Sequence, residues 1–439
     1  MDIQKTPTTL PKSASNYWVN LFALVFFFVP LFFLHRLFPQ LNTVFLTAVS
    51  LPAILIPLWI FDFLYLRVDQ RASSGLLVNP GKPDIERLVI KLIALFGTLS
   101  VILFDYFVIY TCFNATYLKT FFEFLVLSYP LIILGCFVYV WQVDRRQKDP
   151  YDEYWHIGSF LTGRSKKING IIFREYIAAW FIRGFFIPYV FVILVRYVEA
   201  MFTFDWSKIS FFMFYDHLLD LFYTIDIIYF ALGYVLTWRL LDAHIRSTEP
   251  TFLGWLVCLV CYGPFYNYFG IGLLQYEDGF QWNHWFAFQP FFYYFYGITI
   301  IFLSLVYCLA TVAMGYRASN LTYRGIITSG PYRYTKHPAY LCKVASWWLI
   351  TLPFLSVDGP WVAFKKTLAL SFITFIYYLR ARTEENHLSN YPEYVEYAKW
   401  INEHGLFRSI TKRFKYLQYS EEKCKKWGSL VWFKKMPSV

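Results

Sequence analysis

Two short polar stretches in the last third of the chain bring together side chains that could bind a charged ligand. The first ends in His337-Pro338, which predicts a helix start because Pro lacks the N–H that the first helical turn leaves free. The second contains the neighbouring carboxylates Glu384 and Glu385. Free N–H groups at a helix start attract anions, and carboxylates bind cations or hydroxyl groups. Together they are typical of a site for a ligand that carries both charges.

The composition places these stretches in a membrane protein. Of the 439 residues, 57% are hydrophobic and only 16% are charged, whereas soluble domains carry roughly 25% charged residues. The formal net charge of +11 could indicate a nucleic-acid partner, but the Lys and Arg residues lie in the gaps between apolar runs. The charge pattern therefore predicts a membrane protein with no nucleic-acid partner. The seven cysteines are scattered, and most lie inside apolar runs, where they read as small hydrophobic residues, and no metal site is predicted.

The apolar runs predict an all-α fold, a polytopic transmembrane helix bundle of about ten spans. A span needs about 20 mostly apolar residues. Lys and Arg concentrate in every second loop, at 65–87, 142–175 and 316–337, which places these loops and both termini in the cytoplasm. The predicted spans are 17–37, 42–64, 88–112, 120–141, 176–199, 216–238, 252–274, 290–315, 338–356 and 361–379.

This topology brings the two polar stretches to one rim of the bundle. The ninth and tenth spans form a hairpin, so the chain returns to the cytoplasmic face at Arg380 after leaving it at His337. Within the other spans, the hypothesis is that Arg196 pairs with Asp216 or Asp220, because an unpaired charge in hydrocarbon is costly. Two readings of these charges stay open, buried ion pairs that lock helices together and a polar cavity.

In these stretches the sequence resembles the isoprenylcysteine carboxyl methyltransferase family and the related phospholipid methyltransferases. The resemblance covers about residues 285–405. Two positions depart from the family pattern: Lys336 stands where the family has Arg, and Cys342 stands where it has Gly. Lys keeps the charge but loses the two-pronged geometry of Arg. The matching segments are Gly330-Pro331-Tyr332, His337-Pro338-x-Tyr340, Arg382-x-Glu384-Glu385-x-x-Leu388 and Tyr394-x-x-Tyr397.

The resemblance implies S-adenosylmethionine as the cofactor. Its carboxylate would take helix N–H groups or a cation, its ammonium and ribose hydroxyls would take carboxylates, and its sulfonium would favour an aromatic face. Arg333 and Arg382 are the candidates for holding an anionic acceptor, and we class them as catalytic. The implied cofactor-binding residues are Lys336, His337, Pro338, Tyr340, Glu384 and Glu385.

The sequence thus predicts an integral membrane methyltransferase. It is expected to act on a lipid or lipidated acceptor, at a carboxylate or a lipid amine, in a bacterial inner membrane or the endoplasmic reticulum. Two alternatives stay open, an NADPH-dependent double-bond reductase like the sterol reductases and a non-catalytic scaffold or transporter. The predicted regions are 1–280, seven spans of unassigned role; 281–407, the methyltransferase-like core; and 408–439, a basic aromatic tail on the membrane surface.

Overall fold

A computed structural model describes residues 9–424 except 206, 208, 269–273, 278, 416 and 423. The fold is a helical bundle with one two-stranded antiparallel sheet, in which β1 (Ser247–Thr248) pairs with β2 (Thr322–Tyr323). The helices are α1 Tyr17–Ala23, α2 Val25–Leu37, α3 Thr43–Ala53, α4 Leu55–Leu58, α5 Ile85–Cys112, α6 Leu118–Asp144, α7 Glu153–Leu161, α8 Gly170–Thr203, α9 Phe211–Val235, α10 Phe252–Leu259, α11 Trp282–Trp285, α12 Pro290–Met314, α13 Pro338–Thr351, α14 Pro360–Leu388, α15 Pro392–His404 and α16 Arg408–Arg413.

Among the described residues, eight helical segments are long and apolar enough to cross a membrane, which confirms the helical polytopic fold. Polar residues in the loops start many of these helices, because their side-chain oxygens accept hydrogen bonds from the first free N–H groups. Such caps are Asn16, Asn42, Asp84, Asn169 and Ser210. The eight segments are Tyr17–Leu37, Thr43–Tyr65, Ile85–Cys112, Leu118–Asp144, Gly170–Thr203, Phe211–Val235, Pro290–Arg317 and Pro360–Leu388.

The loops that the sequence marks as basic all lie at one end of the bundle, which we call the basic end. Ion pairs join them there: Arg87 on α5 contacts Asp144 at the end of α6 at 2.8 Å, and Lys91 contacts Asp152 at 3.1 Å. The hydroxyl of Ser13, before α1, lies 3.2 Å from that of Ser329, so the N-terminal segment lies at this end too. The arrangement fits the predicted alternation of loops.

The seventh predicted span, 252–274, is broken. Helix α10 is only eight residues long and is followed by Gly263-Pro264, which a regular helix does not accommodate. Nevertheless the chain crosses the bundle here. It starts at β1, which pairs with β2 at the basic end, and reaches Trp282, which packs on Tyr215 at the start of α9 with ring centroids 5.0 Å apart. We call this opposite end the outer end.

The ninth predicted span, 338–356, is also shorter than expected. Helix α13 has 14 residues, roughly 21 Å of rise, because Leu352 takes a left-handed conformation and Pro353 follows it. Leu352 is buried in the outer-end cluster with Tyr215, whereas His337 before α13 lies at the basic end, so this short helix still runs from one end to the other. Two short segments thus accompany the eight long ones.

The proposed pairing of Arg196 with Asp216 or Asp220 is wrong for the part of the chain that the structure describes, where no ion pair joins them. Arg196 is exposed on α8, because the opposite face of that helix carries the residues that pack into the core. The buried carboxylate of α9 is Asp226 instead. Its two oxygens accept hydrogen bonds from the hydroxyls of Tyr307 and Thr311 on α12, both at 2.5 Å.

The main core joins the N-terminal region to α12 and so fixes the position of the polar loop after it. Gly233 on α9 allows the backbone of Ala318 to approach, since a Cβ there would lie 1.8 Å from the Ala318 carbonyl oxygen. Arg324 is fully buried and donates hydrogen bonds to the carbonyls of Gly233 and Leu236 at the end of α9, and to that of Ala243. Burial lowers the pKa of this guanidinium to about 9.

The predicted surface tail, 408–439, is described only as far as residue 424. Tyr419 and Cys424 are buried against α15, in a cluster with Tyr394 and Tyr397. The Tyr419 hydroxyl lies 2.9 Å from that of Ser389. This part of the tail packs on the protein, and residues 425–439 lie outside the described residues.

Candidate active site

The site lies at the basic end, where the start of α13, the end of α14 and the loop after α12 meet. Pro338 is the first residue of α13, as its missing N–H predicts, and His337 precedes it. The loop that leads into α13 is held by Tyr397 of α15, whose hydroxyl donates to the carbonyl of Tyr332 at 2.7 Å and to that of Thr335 at 3.3 Å. The matching Tyr-x-x-Tyr segment therefore positions the helix start.

Glu385 is the centre of a buried charge cluster. Its carboxylate forms an ion pair with Lys336, lies 3.2 Å from Nε2 of His337 and accepts a hydrogen bond from Arg382 at 2.9 Å. Only 4% of its side chain is exposed. Three positively charged or polar partners surround this carboxylate, so it joins α13 to α14 and has little capacity left for a ligand.

Glu384 has a different environment although it is the next residue. Its side chain is 44% exposed, accepts a hydrogen bond from the Tyr340 hydroxyl at 3.0 Å and lies 3.8 Å from Nδ1 of His337. The rings of His337 and Tyr340 are parallel, with centroids 5.6 Å apart. Glu384 is thus the carboxylate of the pair that can accept further hydrogen bonds.

A cavity of about 60 Å³ adjoins Glu384 and Tyr340. The buried cation in its wall is Arg380, which donates to the side-chain oxygen of Asn320 at 3.0 Å. Asn320 in turn bonds to the hydroxyl of Tyr234 on α9 at 2.7 Å, so a helix of the N-terminal region orients this cation. The cavity is lined by Glu249, Gly254, Cys258, Ser319, Asn320, Leu321, Thr322, Tyr340, Arg380, Thr383, Glu384, His387 and Leu388.

Aromatic rings surround Arg380. Its guanidinium carbon lies 5.1 Å from the ring centroid of Tyr340, 5.2 Å from that of Tyr377 and 5.6 Å from that of Tyr262. Such contacts stabilise a cation that has left water. Arg380 and Glu384 are four residues apart on α14, so they share a helix face.

The predicted site residues separate into three groups. Tyr340 and Glu384 line the cavity, whereas Lys336, His337, Arg382 and Glu385 form the charge cluster beside it, next to the buried Pro338. The Nε atom of Arg382 is buried without a hydrogen-bond partner among the described residues. Arg333 is exposed in the loop and does not line the cavity. Its role in holding an acceptor stays a prediction.

Sequence reasoning missed Arg380, Asn320 and Glu249. The spacing of Arg380 from Glu384, one helical turn, could have identified the first of these. Nothing local marks Asn320 or Glu249, because they come from the loop after α12 and from the segment after β1. Cys258 also lines the cavity from the N-terminal region and is buried, in agreement with the prediction that cysteines in apolar runs are small hydrophobic residues.

Glu249 is the most buried carboxylate of the cavity wall, with 4% of its side chain exposed. One of its oxygens accepts hydrogen bonds from the backbone N–H and the hydroxyl of Thr251, at 3.0 and 2.5 Å. Burial raises the pKa of Glu249 to about 7, against the effect of these hydrogen bonds, and the charge of Glu384 raises it further. This carboxyl group therefore exchanges a proton near neutral pH.

A helical membrane bundle with a polar cavity at its basic end has the features of an integral membrane enzyme. A sequence model of the isoprenylcysteine carboxyl methyltransferase family matches residues 293–390. This range contains most of α12, all of α13 and most of the site, and it confirms the resemblance of the C-terminal region. The match indicates a membrane methyltransferase. No curated protein and no solved structure matches the chain.

Proposed function

We propose that the protein transfers a methyl group from S-adenosylmethionine to a lipophilic acceptor at the basic end of the bundle. The observation that carries the proposal is the half-exposed Glu384, which Tyr340 holds beside a cavity whose wall includes the buried side chain of Arg380. The family match supports the reaction class. The cofactor and the acceptor are the parts that we infer.

The residues present fit the chemical groups of S-adenosylmethionine. Glu384 has free acceptor capacity for an ammonium group or ribose hydroxyls, because its only hydrogen-bond donor in the described residues is Tyr340. The N–H groups at the start of α13, where Pro338 is the first residue, suit the carboxylate. The face of Tyr340 suits a sulfonium, which a ring attracts by its quadrupole.

The cavity limits which part of a ligand can enter it. About 60 Å³ is room for roughly four to six water molecules, by the measure of ~10–15 Å³ for each. This volume suits the reacting end of a donor or an acceptor and is too small for a nucleoside. The nucleoside therefore fits only toward the exposed side of Glu384.

The bound cofactor would supply an activated methyl group, and the residues of this chain would orient it and exclude water. Methyl transfer is a displacement in line with the bond that breaks, so alignment contributes most of the rate. Tyr340, Tyr262 and Tyr377 surround Arg380, so aromatic rings shield this part of the cavity wall from water. An acceptor with a hydrocarbon chain would reach the site from the bilayer, and a lipid or lipidated molecule is therefore the proposed partner.

Binding of S-adenosylmethionine and of NADPH to the purified protein in detergent, measured by titration calorimetry, tests the proposal. We expect S-adenosylmethionine to bind and His337→Ala to weaken it about ten- to a hundredfold, because His337 faces both Glu384 and Glu385. Glu396→Gln, an exposed change on α15, is the control and should leave binding unchanged. Binding of NADPH alone would favour a reductase, and binding of neither would refute an enzyme that uses these cofactors.

A further inference from the structure

A second polar cluster begins at the cavity wall. Glu249, just after β1, and His387, at the end of α14, line the cavity, and Ser247 on β1 contacts His387 behind them. Ser247 and Glu249 lie outside residues 293–390, so the matched family segment does not supply them. The N-terminal region therefore contributes titratable chemistry to the site as well as structural support.

These residues form a chain of polar contacts from the cavity outward. Nδ1 of His387 lies 3.7 Å from a carboxylate oxygen of Glu249, and its Nε2 lies 2.7 Å from the hydroxyl of Ser247. The hydroxyl of Tyr391 donates to that of Ser247 at 2.5 Å. Glu249 and His387 are each 5% exposed, whereas Ser247 and Tyr391 are only half-buried, so the chain leads toward solvent.

The packing holds Glu249 in one position. A Cβ on Gly254 would lie 2.5 Å from the carboxyl carbon of Glu249, so only glycine leaves room for the side chain there. Thr251 fixes one oxygen of the carboxylate and leaves the other facing His387. The arrangement is a pre-positioned carboxylate with a histidine behind it.

We propose that the methyl acceptor is an amine and that Glu249 accepts the proton which this amine must lose. The inference rests on the proposed function. An ammonium acceptor gives a proton to Glu249, and its freed lone pair forms the N–C bond while the C–S bond of the donor breaks. The electron pair of that bond stays on sulfur, and one proton is released for each methyl group. The proton then leaves Glu249 toward solvent, on the side where His387, Ser247 and Tyr391 lead outward from the cavity.

The charges around the cavity favour an amine over a carboxylate. Glu249 and Glu384 both line it, and its cation, Arg380, is already bonded to Asn320 and enclosed by rings. A carboxylate acceptor would meet two like charges, and it has no proton to lose at neutral pH. The titratable and charged groups that share this cavity with Glu249 are Glu384, Arg380, His387, Tyr340 and Cys258.

The proton-accepting role is supported by the pKa of Glu249, which burial raises to about 7. A base is most effective when its pKa lies near the working pH, since it is then largely ionised and still basic. The polar contacts that lead outward give this base a way to release the proton between turnovers.

The test is methyl transfer from radiolabelled S-adenosylmethionine by the full-length protein in mixed micelles. Three acceptors are compared. Phosphatidylethanolamine is a lipid amine, phosphoethanolamine is a water-soluble amine, and N-acetyl-S-farnesylcysteine is a lipid carboxylate. We expect transfer to the lipid amine with a rate that rises through pH 7, and a loss of about a hundredfold or more in kcat in Glu249→Gln. Binding of S-adenosylmethionine by this variant should stay unchanged, and its thermal midpoint should not fall below that of the wild type.

Glu393→Gln is the matched control. Glu393 accepts a hydrogen bond from the hydroxyl of Tyr323 and does not line the cavity. This variant should therefore keep the wild-type pH profile. Transfer to the soluble amine alone would support Glu249 as the proton acceptor and would refute a lipid as the methyl acceptor.

Transfer only to the carboxylate, or amine transfer that Glu249→Gln leaves intact, would overturn the inference and leave the methyltransferase function standing. Failure to bind S-adenosylmethionine would overturn both.

Discussion

Replacing Glu384 and Glu385 one at a time by Gln should produce two different defects, although the residues are adjacent. Glu385 is 4% exposed and holds Lys336, His337 and Arg382 around one carboxylate. Removal of its charge leaves the cations Lys336 and Arg382, whose side chains are only 13% and 12% exposed, without their counter-charge. Breaking a buried pair in this way costs about 3–5 kcal/mol. Glu385→Gln should therefore destabilise the protein strongly.

Glu384→Gln should affect binding instead of stability. The side chain is 44% exposed and keeps a hydrogen bond to Tyr340 after the change, so the free energy of unfolding should change by about 0.5 kcal/mol or less. The loss of a charged partner for the cofactor should weaken S-adenosylmethionine by about 1.5–3 kcal/mol, or roughly ten- to a hundredfold.

Tryptophan fluorescence during thermal unfolding in detergent measures the first effect, and calorimetric titration with S-adenosylmethionine measures the second. The exposed change Glu396→Gln serves as the reference in both. Equal losses of stability in Glu384→Gln and Glu385→Gln would refute the division of roles between the two carboxylates. So would unchanged cofactor affinity in Glu384→Gln.

Three further predictions concern packing, pH and topology. Gly233→Ala should destabilise the fold by several kcal/mol in denaturation experiments, because its Cβ would clash with the Ala318 carbonyl; wild-type stability would contradict this. The pKa of Glu249 is raised from 4.5 to about 7, so the folded state binds the extra proton and stability should fall, by on the order of 3 kcal/mol, as pH rises from 4.5 to 7. Glu249→Gln should flatten this dependence of stability on pH. An unchanged slope would show that Glu249 is not the group that titrates. In a cysteine-free background, cysteines at Lys148 and Trp285 should react with impermeant reagents from opposite sides of the membrane. Labelling of both from one side would refute the predicted ten crossings.

The basic loops and apolar runs determine the fold class because lipid leaves few options. A backbone in hydrocarbon must satisfy its own hydrogen bonds, so long apolar runs form helices. The lengths were harder to predict: α10 and α13 are shorter than a span, since Gly263-Pro264 and Leu352 interrupt them. Hydropathy does not detect a break that leaves the apolar run intact.

The sequence also predicted that His337-Pro338 and the pair Glu384 and Glu385 meet at one rim, because a helical hairpin returns the chain to the same face. Which carboxylate faces the cavity was decided only by the tertiary structure. Adjacent residues on a helix point about 100° apart, so the rotation of α14 against α13 exposes Glu384 and buries Glu385. The packing of distant segments likewise brought Glu249 and Asn320 to this site, and no local pattern encodes a contact between residues that lie far apart in the chain.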